Sequence, residues 1–355
     1  MVKLQAIRAA NSKLVNSQSI VAVFVGGTSG IGEFTLRALV SNHLAKGNGL
    51  CIYIVGRNAE AAEKIIFDCT AKFPEGQYRF IQAMDLSLVQ NVDKVAAEII
   101  QHQQQNTSDS SGPRVDMLFM TQGGLYLTPR QETQEGLDFA MSMHYYSRAR
   151  FTFQLLPLLQ SSTLPSHVVS VFAAGNEAKL IANDLSLRKP GNYSFANARS
   201  HCTFMMTKFM EQLANQNKNK LSLVNVFPGL VITPGFSSPH YPMWFKIVWS
   251  MASPLARMVA VAPEEAGDRM LFMATDRFPA KSADLSKSRS SEVATGTDGR
   301  VGSGAYACNN DGEPTPESKR SKAYKGLQND RFSEAVWEHT MQAFNAAAAG
   351  RMFTD

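Results

Sequence analysis

A chain of 355 residues that is 44% hydrophobic and 18% charged can bury one large α/β core, and it is too apolar for a disordered polymer. Its net charge of +5 is the balance of 35 scattered basic and 30 acidic residues, and the Lys/Arg clusters near 287–289 and 319–322 read as solvated loop charge, so no nucleic-acid stripe is expected. Cys51, Cys69, Cys202 and Cys308 are too scattered for a zinc site or a disulfide framework, which points to a reducing compartment, taken as the cytoplasm, and to no metal.

The first eighteen residues lack the apolar run of a secretory signal. Ile20–Val25 is a continuous apolar run ending in glycines, as in a strand buried on both faces. Gly30–Leu44 has helical spacing, Leu50–Val55 is a second strand, and Ala59–Phe73 a helix stopped by Pro74. Tyr78–Ala83 is a third strand, and Ser87 opens a helix to about Gln105. After the polar loop Asn106–Arg114, Val115–Met120 is a fourth strand, followed by a long helical region, Thr133–Leu159. His167–Phe172, a helix over Tyr193–Asn215 and the strand Leu221–Phe227 continue the alternation, and Pro263–Ala274 opens with Pro-Glu-Glu as a helix should.

Such alternation means βαβ units, a mostly parallel sheet and a doubly wound, Rossmann-type single domain over residues 1–280, with its core at 20–277. Residues 281–326 are polar and Gly-rich. Ser282–Gly304 reads there as a flexible insertion and Gly304–Cys308 as a short last strand. Residues 327–355 hold a helix, Phe332–Ala347, and a tail. No stretch reaches the roughly 18 apolar residues of a membrane span. The nearest, Pro242–Ala262, is broken by Lys246, Pro254 and Arg257. It reads as an apolar helix or lid against the core, with peripheral membrane contact as the alternative.

The most informative stretch is Val25-Gly26-Gly27-Thr28-Ser29-Gly30-Ile31-Gly32, directly after a buried strand and opening a helix. Gly26 permits a tight turn, Gly30 and Gly32 permit close backbone approach, and the helix N-terminus offers free amides to a pyrophosphate. Thr28 and Ser29 add hydroxyls. Arg57, followed by Asn58, ends the second strand where an acid would bind a ribose 2′-hydroxyl. A guanidinium there suits a 2′-phosphate, so NADP(H) is expected over NAD(H). The alternative for Arg57 is an ordinary surface cation.

On these residues the chain resembles the short-chain dehydrogenase/reductase family over roughly 20–277, the family's leading Thr being replaced by Val25. Asp85-Leu86 is similar to the family's adenine-contacting pair, and Asp116-x-Leu118 leading to Gly123 to its fourth strand. Pro228-Gly229-x-x-x-Thr233, with Val231 inside it, resembles the turn over the nicotinamide. His144-Tyr145-Tyr146-Ser147-Arg148 resembles fungal members, many of which act in secondary metabolism. The resemblance implies a homodimer or homotetramer and a catalytic Tyr, here Tyr193. The family's Lys, Ser and relay Asn positions fall on Asn197, Ala173 and His144. His144, His201, Asn176 and Lys179 are candidate substitutes, and each histidine has packing as its alternative.

These features lead to an NADP(H)-dependent reductase of a hydrophobic ketone, whose apolar pocket would draw on Phe236, Tyr241, Trp244, Phe245 and Trp249. A non-redox isomerase, dehydratase or cyclase, or a cofactor-binding protein without chemistry, stands as the alternative.

Overall fold

In the computed structural model, the residues described are all but 44–48, 107–111, 176, 178–179, 238–240, 283–291 and 317–329. Seven parallel strands form one sheet in the order β3-β2-β1-β4-β5-β6-β7. They are β1 (Ile20–Val25), β2 (Leu50–Gly56), β3 (Gln77–Gln82), β4 (Met117–Met120), β5 (Ser166–Val171), β6 (Leu221–Phe227) and β7 (Ala305–Asn309). The order reverses between β1 and β4, where Val25 pairs with Met120. The crevice beyond their carboxyl ends is therefore where a ligand fits this fold.

Side chains alternate across β1. Val21, Val23 and Val25 enter one core, while Ile20, Ala22 and Phe24 enter the other. The second core is covered by α1 (Leu4–Ser17), α2 (Gly30–Asn42), α3 (Ala59–Lys72) and, beyond the intervening helices, α10 (Pro263–Phe272). The first lies under α4 (Val89–Asn106), α5 (Phe139–Met141), α6 (Ser147–Gln154), α7 (Leu156–Gln160) and α8 (Phe195–Gln216). A C-terminal helix, α11 (Asp330–Ala348), closes that side through Val336 and Phe344. Each such buried side chain contributes about 1.5–3 kcal/mol. α1 has no counterpart among the predicted elements. It is held by Ile7, by Val15 and by Asn11, which donates to the Asp268 carbonyl of α10 at 2.8 Å.

Four expectations are corrected. The long helix Thr133–Leu159 is broken into α5, a π-helical turn (Ser142–Tyr146), α6 and α7, and residues before Asp138 are not helical. The reason is capping: Glu135 accepts from the Val89 and Gln90 amides at the start of α4, and Asp138 caps α5 through the Met141 amide. Second, α8 begins at Phe195, because Ser194 is its N-cap and accepts from the Asn197 amide at 3.1 Å, so Tyr193 precedes the helix. Third, the stretch around Trp244 forms α9 (Met243–Val259), but no residue of it is buried. Fourth, residues 292–304 are packed rather than exposed throughout: Thr295 bridges Val301, and Ala294 and Thr297 are 2% exposed. The rest of the expected insertion, 283–291, lies outside the described residues, as do the candidate substitutes Asn176 and Lys179.

Candidate active site

The glycine turn sits at the switch point. Gly26 has φ +83° and Gly30 φ +58°, both in the left-handed region that favours glycine. A Cβ on Gly26 would stand 2.8 Å from the Gln122 amide nitrogen, and one on Gly32 2.4 Å from the Gly26 carbonyl. The turn is thus packed against the end of β4. Thr121, which sequence reasoning passed over, fixes it by donating its hydroxyl to the Val25 and Gly26 carbonyls at 3.1 and 3.2 Å. Ser29 is exposed at the N-cap of α2 and makes no side-chain cap bond, while Thr28 and Ile31 are half-buried beside it. The first amides of α2 therefore lack a side-chain acceptor, and the helix end is suited to an anion.

The other predicted cofactor contacts ring this turn. Thr233, half-buried, would lie 3.0 Å from a Cβ on Gly30, so the loop after β6 brackets the glycines, with Val231 buried beneath it. Arg57 is exposed at the end of β2 and makes no ion pair with a described residue. Asn58 is committed elsewhere, since it caps α3 by accepting from the Ala61 amide at 3.1 Å. Asp85 is exposed and accepts from the amide and hydroxyl of Ser87 at 2.8 and 2.6 Å, and Leu86 is buried beside it. A turn that rejects Cβ atoms, a helix end whose N-cap side chain makes no bond and an exposed cation with no ion pair among the described residues fit a phosphorylated dinucleotide.

Beyond Gly123, at the carboxyl ends of β4 and β5, lies a cavity of about 230 Å³ lined by Gly124, Tyr126, His144, Phe172, Tyr193 and Arg199, among others. His144 is carried by the π-helical turn, a distortion that often marks functional sites. Its ring stacks on Phe172 with centroids 4.4 Å apart and donates to the Gly124 backbone, and a Cβ on Gly123 would meet it at 2.7 Å. Burial, with the cations Arg148 and Arg199, pushes its pKa down to about 3. His144 thus faces the cavity with a ring that is neutral near neutral pH. Tyr145 and Tyr146 anchor the same turn to α11 through Thr340 at 2.6 Å and His339 at 2.8 Å.

Tyr193 reaches the cavity from the loop before α8. Its hydroxyl stands beside the Asp138 carboxylate, and burial together with that charge holds the phenol well above its ordinary pKa. The carboxylate comes from the segment that was read as helix, at the N-cap of α5. Asn197 is one turn into α8, but its amide donates to the Asn192 carbonyl at 2.8 Å. His201 is fully buried, accepts from the Ile181 amide at 2.9 Å, and shapes the loop after β5 without joining the cavity. Of the apolar residues expected to form a pocket with Trp244, Phe245 and Trp249 stack or tilt on Phe236 and Tyr241, outside this cavity.

Two arginines were not anticipated. Arg148 is buried and has no carboxylate partner among the described residues; it donates to Ser170 Oγ at 2.8 Å, the Val171 carbonyl at 2.9 Å and the Gln122 carbonyl at 2.5 Å. It ties the ends of β4 and β5 together beneath the cavity, and burial lowers its pKa to about 10. Its place four residues after His144, on the same helical face, was a readable signal. Arg199 is half-buried, makes no ion pair with a described residue, and is lowered in pKa by desolvation alone.

The chain is 37% identical to a short-chain dehydrogenase/reductase, SAT2, of Stachybotrys chartarum, over 98% of each protein. The chain belongs to the short-chain dehydrogenase/reductase family of oxidoreductases. Within it the chain is also similar to oxidoreductase AN1596 of Emericella nidulans (36% identical, 98% of this chain and 99% of that one). The oxidoreductase andH of Emericella variicolor is 35% identical, over 97% of each. No protein-family model matches the chain. Among solved structures, a Mycobacterium paratuberculosis protein shares the fold at TM-score 0.58 and 18% identity, covering 94% of this chain and 97% of that one. The Pseudomonas aeruginosa RhlG/NADP complex shares it at TM-score 0.50 and 18% identity, covering 72% and 89%.

Proposed function

We propose that this short-chain dehydrogenase/reductase is an NADP(H)-dependent reductase of a bulky, mainly apolar ketone, working in a fungal secondary-metabolite pathway. The observation that carries the reading is the meeting, at the carboxyl ends of the central strands, of a glycine turn, an exposed Arg57 with no ion pair among the described residues, and an aromatic-walled cavity entered by Tyr193. The fungal oxidoreductases among its relatives support the pathway, and the RhlG/NADP complex supports the cofactor. The bound cofactor supplies the hydride. The chain holds the ketone between Phe172 and Tyr126, keeps water out, and offers the Tyr193 proton to the carbonyl oxygen.

The raised phenol pKa suits the site to reduction more than to oxidation near neutral pH. An alkoxide is a far stronger base than phenolate, so Tyr193 still gives its proton to the product of reduction. Alcohol oxidation needs Tyr193 as phenolate, which burial and Asp138 oppose. Arg199 supplies positive charge within the same cavity, taking over part of the task of the family's Lys and Ser, whose positions hold Asn197 and Ala173. Incubating the purified protein with NADPH and a panel of hydrophobic ketones tests the reading. NADPH consumption with alcohol formation is expected, and tight NADPH binding without consumption would reject it.

The bond from Asn197 to Asn192 favours a second reading, in which the site keeps the cofactor but performs isomerisation, dehydration or cyclisation, or no chemistry. Product formed without NADPH loss distinguishes it.

A further inference from the structure

The least protein-like surface of the molecule is α9. Eight of the thirteen large apolar side chains exposed among the described residues lie on this one helix, Trp244, Met251, Leu255 and Met258 among them, at 58–81% exposure. At 100° per residue, Phe245, Trp249 and Ala256 form a narrow line toward the protein, where Trp249 stacks on Phe236 at 4.4 Å. Lys246, Ser250, Ser253 and Arg257 form a polar stripe beside it. The remaining arc of about 160° is continuous apolar surface facing out. An isolated globular protein seldom leaves so large an apolar patch uncovered.

We infer that α9 docks on an anionic phospholipid surface, lying in the interfacial plane. Lys246 and Arg257 lie in the polar stripe along one border of this arc, and the helix carries no acid. Long cationic side chains along the border of an apolar arc that carries a Trp let a helix sink into the acyl boundary while its charges meet lipid phosphates. A second copy of the chain suits the arc less well. Antiparallel packing about Met251 brings Lys246 opposite Arg257 of the copy, and parallel packing sets like residue against like, with no acid on either helix to compensate. A spanning role is not supported: α9 and α10 together have the length and composition of a broken span, but they bend by 65° and α10 is buried against α2. The helix begins beside the cavity, since Tyr241, just ahead of it, bonds through its hydroxyl to the backbone of the cavity residue Leu125. Docking would place the cavity mouth close to the lipid, where an apolar compound partitions. This inference stands whether or not the cavity performs reduction.

The test is co-sedimentation of the full chain with vesicles of phosphatidylcholine alone or with about 30% phosphatidylserine. The wild type is expected to pellet with the anionic vesicles and to be released by salt. Lys246→Glu with Arg257→Glu should lose the preference for anionic lipid, each cation being worth roughly fivefold in partitioning. Trp244→Ser with Met251→Ser and Leu255→Ser should lower binding to both vesicles by about tenfold or more. Because all three side chains are exposed, the thermal unfolding midpoint should hold, which separates lost docking from lost folding. A wild type that stays in the supernatant with every vesicle overturns the proposal. So does a triple variant that is well folded and binds vesicles undiminished. So does a light-scattering dimer that the triple variant dissociates while vesicles remain unbound, because the arc would then belong to a second copy.

Discussion

The two walls of the crevice are built from different material. On the β1–β2 side the chain presents backbone: positive-φ glycines, the bare end of α2 and a strand terminus carrying Arg57. On the β4–β5 side it presents side chains held by other side chains, with His144 on a π turn, Arg148 bonded to carbonyls beneath it and Tyr193 beside Asp138. Backbone sites tolerate little change, because a Cβ at Gly32 would sit 2.4 Å from a carbonyl oxygen. Side-chain sites can be rebuilt residue by residue. The contrast teaches that a backbone wall constrains substitution more tightly than the side-chain wall opposite it.

The strongest challenge to this contrast is Tyr193→Phe, which deletes one hydroxyl. Turnover of a reducible ketone should fall by about 10²-fold or more, with NADPH affinity unchanged. Equal turnover in the two proteins would mean that the rebuilt wall has dispensed with the phenol.

Acid should loosen the side-chain wall first. His144 in this wall, and His167 at the amino end of β5, are neutral in the folded state, with pKa values pushed down to about 3 and about 4 by burial. The unfolded chain protonates them near an ordinary value of about 6.5. Their contribution is therefore complete above that pH and is lost as pH falls toward the folded values, with a slope of up to about 1.4 kcal/mol per pH unit for each. Denaturant unfolding at a series of pH values measures this, and His144→Gln should remove about half of the slope. An unaltered slope in the variant would show that His144 is not the group titrating.

The backbone wall is sharpened by Arg57→Ala. NADPH binding should weaken by about 1–3 kcal/mol while NADH binding stays constant, as for loss of one charge-assisted bond. Calorimetric titration with both cofactors decides it, and a parallel loss for NADH would remove the 2′-phosphate assignment. The smallest effect is expected from Tyr145→Phe, which removes the bond to Thr340 and should cost about 0.5–1.5 kcal/mol of stability by thermal or denaturant unfolding. A stability equal to that of the wild type would mean that α11 does not brace the His144 turn through this bond.

The same division explains what could be read from sequence. Strand–turn–helix order and the glycine spacing depend on local pattern, so β1, α2 and the parallel sheet were legible from residues 20–42 and the runs that follow. The break at Asp138 was not, because Glu135 caps a helix 45 residues away in sequence and Asp138 looks like any polar residue in a helical run. The start of α8 depended on Ser194 rather than on periodicity. Thr121, Arg199 and the Tyr193–Asp138 pair are products of tertiary approach, and spacing in the chain carries no trace of them. α9 was recognised as apolar and helical, but whether an apolar helix faces a core or open surface is decided by its neighbours.

The central claim is hydride transfer within the rebuilt wall, and isotope transfer tests it most directly. NADPH carrying deuterium at the transferable position of its nicotinamide ring is incubated with the protein and a ketone that it converts, and the product is examined by mass spectrometry. The account predicts one deuterium in the alcohol at the former carbonyl carbon and loss of the same label from the cofactor. Product formed with the label still on the nicotinamide would contradict it and assign the site to non-redox chemistry.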